Sequence, residues 1–248
     1  DNSKAIMRMN DVVVSQEMLR LGMVATVQAS RVAGTAIGTA SSIDVWTIAQ
    51  GLVSDLDVGA GKFKVAGMTI LTSAATWLYA ATATTPLANG QYVSVWGLQA
   101  DEEGEQWTAS CVVVSTLATQ VVSSGLVKLD DGKRKLNGLK LVGDVASSLA
   151  DKVPTRVQGV LTPDGSLNVL SAKAINNTLG AQAPAQAPGE VEIEGLVTTA
   201  PSASGFMLGS ISVQATASMF SPPGAQIGVG SRVEVYGSWQ GGVLKATK

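Results

Sequence analysis

The sequence predicts an all-β protein, built as tandem small β-barrel or sandwich modules of about five strands each, with the first module incomplete at its N-terminus. Three observations predict it. The 248 residues are 46% hydrophobic and 15% charged, against roughly 25% charged in ordinary soluble domains, and Ala, Ser, Thr, Val and 27 Gly fill the difference. An eight-residue frame of Gly and Val recurs: GQYVSVWG from Gly90, GSRVEVYG from Gly230, a degenerate KVPTRVQG from Lys152, and GMVATVQA from Gly22, which ends in Ala29. The triplet GLV stands at 51–53, 125–127 and 195–197, ahead of the Gly90, Lys152 and Gly230 frames. Self-similarity of this kind outranks other signals, because it sets the whole architecture.

The elements follow in order. Side chains alternate across a strand, so Val93 and Val95, like Val233 and Val235, are expected in the core, with Ser94, Trp96, Glu234 and Tyr236 outward. The leading Gly of the frame is expected in a turn that needs positive φ, and the trailing Gly at an exit bend. Behind each frame comes a turn, as in DEEGE at 101–105, TPDGS at 162–166 and WQGG at 239–242, and then an Ala-containing strand. Between GLV and frame, Phe63 matches Phe206 and Trp77 matches Phe220; Trp77 and Phe220 are expected as core plugs. ASSLADK and SQEMLRLG are expected to form short helical turns. The boundaries fall as a partial module at 1–46, modules at 47–117 and 118–175, a Pro/Ala linker at 176–188 running as a semi-stiff spacer, and a last module at 189–248.

The first frame has no GLV ahead of it, and the spacing of the other three would put one before residue 1. The opening strands of that module are therefore expected to be absent, leaving an edge around Lys4, Ile6, Met7 and Met9 to be completed either by a segment upstream of residue 1 or, the favoured reading, by another subunit. The final strand at LKATK is expected to be free to pair with a neighbour. The chain opens without an initiator Met, as processing or truncation upstream would leave it.

Catalytic and metal chemistry finds little footing. With no histidine and one cysteine, His-based triads, His-based zinc sites and CxxC sites are excluded. Residues 55–62 have Leu56 where a phosphate-binding loop needs Gly, and are followed by Phe63 where it needs Ser or Thr. Acids cluster at Asp101, Glu102, Glu103 and Glu105 and at Asp130 and Asp131, but each cluster occupies an expected turn tip, and the EF-hand spacing is absent. Cys111, in the apolar run SCVVV, reads as a buried, unreactive thiol. A net charge of −2 removes the basic footprint of nucleic-acid binding. Residues 65–100 and 198–231 are uncharged but are interrupted by Thr, Ser, Gly and Pro, so no transmembrane segment is expected.

The succession GLV, FKVAGMTI, TSAATW, LANGQYVSVWG and TASCVV, repeated as GLV, FMLGSISV, TASMF, IGVGSRVEVYG and LKATK, resembles a bacterial domain of unknown function found as tandem copies in secreted proteins and lipoproteins of Gram-negative bacteria. The resemblance implies small all-β modules and an extracellular or cell-surface location, with the periplasm as the alternative, and supplies no catalytic residues. The expected function is a non-enzymatic structural or adhesive envelope protein without cofactors, a subunit of an extracellular filament that self-associates by strand complementation through the N-terminal module and C-terminal strand. The alternative is a periplasmic or surface module that binds a glycan or other ligand through Trp96 and Tyr236.

Overall fold

The computed structural model describes residues 1–31, 38–79, 86–101, 106–115, 120–175, 191–209 and 211–248; the acids Glu102, Glu103 and Glu105 and the linker at 176–188 lie outside them. The described residues are 57% strand and 5% helix. In chain order the strands are β1 (Ile6–Met9), β2 (Val12–Val13), β3 (Ala25–Arg31), β4 (Gly38–Val45), β5 (Ala49–Asp57), β6 (Lys62–Val65), β7 (Met68–Leu71), β8 (Trp77–Tyr79), β9 (Tyr92–Gln99) and β10 (Gln106–Ser115). They continue with β11 (Val121–Leu126), β12 (Lys128–Asp130), β13 (Lys133–Leu136), β14 (Leu139–Val142), β15 (Pro154–Leu161) and β16 (Leu167–Ala174). The last are β17 (Val191–Leu196), β18 (Phe206–Leu208), β19 (Ile211–Gln214), β20 (Arg232–Gln240) and β21 (Val243–Ala246). Helical turns sit at Gln16–Met18, within SQEMLRLG, and at Asp144–Ser147, overlapping the start of ASSLADK. Among the described residues no helix is long and apolar enough to cross a membrane.

Among the described residues these strands form three sheets. One has the order β2-β1-β4-β3, one joins β5 through β16, and one holds β17 to β21. As a whole the chain classes as a β-solenoid rather than a barrel. Within it, strand pairing runs in circuits: β5 pairs with β6, β6 with β7, β7 with β10, β10 with β9 and β9 again with β5. The β17-β20-β21-β19-β18 sheet returns in the same way through a bridge between Val197 and Leu208. Each circuit contains one matching parallel pair, β7 with β10 and β19 with β21. A circuit leaves no free edge, so each interior fills with one apolar cluster. Phe63, Val65, Ile70, Val93, Val95 and Val112 fill the first, and Phe206, Leu208, Val213, Val235 and Leu244 fill the last. Val233 is half-buried against the latter.

The frame has the expected geometry at its first residue. That residue has positive φ at every copy: +86° at Gly22, +83° at Gly90, +85° at Gly230 and +59° at Lys152. The left-handed conformation costs a residue with a side chain about 1–2 kcal/mol, partly offset because glycine leaves the unfolded chain freer. Lys152→Gly is therefore expected to raise unfolding stability by about 0.5–1 kcal/mol in a denaturant titration, and a loss of stability would contradict the assignment. The trailing glycine is not at an exit bend. Gly97, Gly159 and Gly237 lie within strands β9, β15 and β20, where a Cβ would stand 2.4, 2.1 and 2.2 Å from the carbonyl oxygens of Thr108, Asn168 and Lys245 on the paired strand. Close approach of the neighbouring backbone, not a turn, requires glycine there.

Candidate interaction surface

In three copies, GLV and frame are two adjacent antiparallel strands. The glycine of GLV lies opposite the same frame position each time: Gly51 opposite Val93, Gly125 opposite Thr155, and Gly195 opposite Val233. The valine of GLV closes the pairing with the same two backbone bonds. Val53 N donates to Gln91 O and Gly90 N to Val53 O, both at 2.8 Å; Val127 N donates to Val153 O (3.3 Å) and Lys152 N to Val127 O (2.7 Å); Val197 N donates to Ser231 O (2.9 Å) and Gly230 N to Val197 O (2.7 Å). Val53, Val127 and Val197 are all buried.

The first frame has the strand without the partner. Its β3 is the end strand of its sheet, paired antiparallel with β4 on one side, with Val27 opposite Ile43. Among the described residues nothing pairs with its other side. Val27 holds the frame position of the buried Val95 (0% exposed) and Val235 (4%), yet it is 53% exposed, and Val24 nearby is 37% exposed. A strand edge of apolar and small residues with unpaired backbone groups is a template for another strand.

The edge expected around Lys4, Ile6, Met7 and Met9 is not the open one. Strand β1 lies between β2, antiparallel, and β4, parallel, and its Met7 is buried. Met9 packs on a cluster of Val45, Trp96 and Cys111, Ile6 is half-exposed, and Lys4 sits in the exposed turn before the strand. The C-terminal strand is not free either, since β21 pairs with β20 on one side and β19 on the other. Sequence alone misses the first because β1 finds β4 far downstream, in a parallel pairing that leaves no local signature. It misses the second for the same reason, since β21 runs parallel to β19.

The outward aromatics also differ from expectation. Trp96 does leave its own circuit, but it is only 2% exposed, covered by Val45, Met9, Leu19, Met23 and Ile43 of the β1–β4 segment. Tyr236 is half-buried; its hydroxyl donates to Glu234 Oε1 (2.8 Å), and the Lys248 ammonium stands 5.7 Å from its ring centroid. On the same sheet, a hydrogen bond shared between the Glu192 and Glu234 carboxyls holds Glu192 above and Glu234 below the ordinary carboxylate range. Trp77 is not a core plug: half-exposed, it stacks on Tyr79 with centroids 6.3 Å apart. Phe220 packs against the β17–β21 core. Cys111 is buried beside Trp96, and that burial pushes its thiol up to about 11.

Sequence reasoning misses one polar cluster altogether. Arg156, buried on β15, donates from Nε to Thr47 O (2.8 Å) and from Nη2 to Asn10 Oδ1 (2.9 Å) and Thr47 Oγ1 (3.0 Å). Thr47 in turn donates N–H and O–H to the same Asn10 Oδ1, at 3.0 and 3.1 Å. The Trp46 ring takes the Arg156 guanidinium at 5.5 Å and the Lys173 ammonium at 3.7 Å, while Lys173 pairs with Asp11 at 3.6 Å. Burial lowers the Arg156 pKa to about 10, with Asp11 opposing. The cluster ties the β1-β2 turn to β15 across 146 positions and fixes the segment that carries β3.

Residues 50–112 and 194–248 match the family described as a domain of unknown function, DUF5666. The first stretch holds most of β5 through most of β10, and the second holds part of β17 and all of β18 to β21. These are the two circuits with Phe63 and Phe206 in equivalent places. No curated protein matches the chain.

Proposed function

We propose that this chain is a non-enzymatic structural or adhesive protein of the bacterial envelope, extracellular or on the cell surface, made of a row of small β-barrels whose first member offers an open strand edge to other chains. The closed pairing circuits support the barrels, and the recurring GLV–frame pair supports their repetition. The observation that carries the attachment reading is the outer edge of β3, with which none of the described residues pairs, beside a Val27 that is 53% exposed where its counterparts are buried. Completion through Lys4–Met9 or the C-terminal strand is not part of the proposal, because β1 and β21 each already have two neighbours. Nor is ligand binding by a pair of exposed aromatics, because Trp96 is buried.

Lacking its partner, such an edge pairs with another of its kind as concentration rises. Light scattering across a wide concentration range is expected to show self-association of the wild-type chain and none for Val27→Pro at unchanged melting temperature. Proline is suited to this position because the Val27 backbone, like that of Val95, whose carbonyl accepts from Ile48 N at 2.8 Å, points away from the paired strand. A Val27→Pro chain that associates as the wild type does overturns the proposal, and so does a wild-type chain that stays monomeric throughout and takes no added strand on β3.

A further inference from the structure

The three complete copies of the frame also indicate what kind of strand the open edge takes. Resting on the reading of β3 as an attachment edge, we infer that its occupant is a GLV-type strand from outside residues 1–248, antiparallel to β3, with Gly opposite Ala25 and Val against Gly22 and Met23. In each complete copy, the strand on this edge is a GLV strand, in one register and with one pair of closing backbone bonds. The first frame keeps the geometry that those bonds need: Gly22 has φ +86°, within a few degrees of Gly90 and Gly230. It keeps β4 in the place of β10 as well, with a register shift at Gln28/Ala29 matching the one at Ala109/Cys111. What it lacks, among the described residues, is the strand itself.

The template fixes the chemistry of that strand residue by residue. Ala49 lies opposite Val95, Ser123 opposite Val157 and Ile193 opposite Val235, so a small or branched uncharged side chain belongs opposite Val27, where it covers the exposed valine. The valine of GLV is buried in all three copies, so a charged residue there is excluded. The leucine position varies, from Leu52 at 55% exposed to Leu196 at 8%. A second copy of this chain is a poor donor, because its three GLV strands each already lie against a frame. The donor is therefore an unpaired GLV strand from outside residues 1–248, which hold GLV only at 51–53, 125–127 and 195–197.

The test adds a synthetic peptide of residues 47–58, TIAQGLVSDLDV, to the full chain and follows amide exchange at Ala25 and Val27 by NMR, with a Val53→Lys version of the peptide as control. The expected result is exchange slowed by about tenfold or more at both amides by the native peptide and unchanged by the control, with self-association suppressed as the peptide fills the edge. Equal slowing by both peptides, or none by either, overturns the inference. The two failures can be told apart: association that remains sensitive to Val27→Pro while the peptide does nothing removes only the GLV assignment, and a chain that neither associates nor binds the peptide removes the attachment reading with it.

Discussion

Trp96→Ala is expected to destabilise the chain by about 3–5 kcal/mol, the range for removing a buried Trp or Phe, and to make Cys111 reactive in the folded state. The indole is 2% exposed and packs with Val45 and Cys111, and Met9, Leu19, Met23 and Ile43 surround them. Removing it opens a cavity at the contact between the β1–β4 segment and the β5–β10 circuit, where the thiol, held neutral by burial with a pKa of about 11, would meet solvent and label. Wild-type Cys111 should label only in denaturant. Tyr236→Ala, at the equivalent frame position, removes the exposed hydrogen bond to Glu234 and should cost no more than about 1 kcal/mol. Equal effects at the two positions would mean that Trp96 is not buried by another part of the chain.

Arg156→Ala is expected to cost about 3 kcal/mol, since each buried polar group left without its partner costs about 1–3 kcal/mol. The substitution strands Thr47 O and takes one donor from Asn10 Oδ1. Asn10 Oδ1 keeps its donors from Thr47, which holds the sum below the upper limit. Arg156→Lys keeps the charge but not the planar fork that reaches Thr47 and Asn10 together, so it should recover less than half of the loss. Equilibrium urea unfolding measures both. Recovery of full stability by lysine would show that charge over the Trp46 ring, rather than the hydrogen bonds, holds the cluster.

How much of this can be read in the sequence follows from where each interaction is encoded. Alternation in the frame places Val93, Val95 and Val235 in the core because a strand's two faces are set by adjacent residues. The leading Gly at positive φ is legible for the same local reason, and the match of Phe63 to Phe206 sets the two at equivalent points of two circuits. What fails is long-range. Alternation turns Trp96 away from its own circuit, which holds, but not into solvent, because β4 lies over it. Arg156 occupies the frame position of Ser94 and Glu234, and nothing nearby in sequence announces that Thr47 and Asn10 will meet it. That residues 1–248 hold no GLV ahead of the first frame is legible, but not which edge the described residues leave unpaired: that depends on β1 pairing with β4, a parallel contact between residues far apart in the chain.

An outer edge of β3 that is open in the isolated chain and receives another strand has a signature in amide hydrogen exchange, read at Ala25 and Val27 and compared in one experiment with Val93, Val95, Val233 and Val235. In dilute solution Ala25 and Val27 are expected to exchange rapidly while their four counterparts, paired with GLV strands, are protected. Once the edge is filled, Ala25 and Val27 should become protected too. Protection of Ala25 and Val27 equal to that of Val93 and Val95 in the dilute monomer would show that the edge is already covered and that β3 receives nothing.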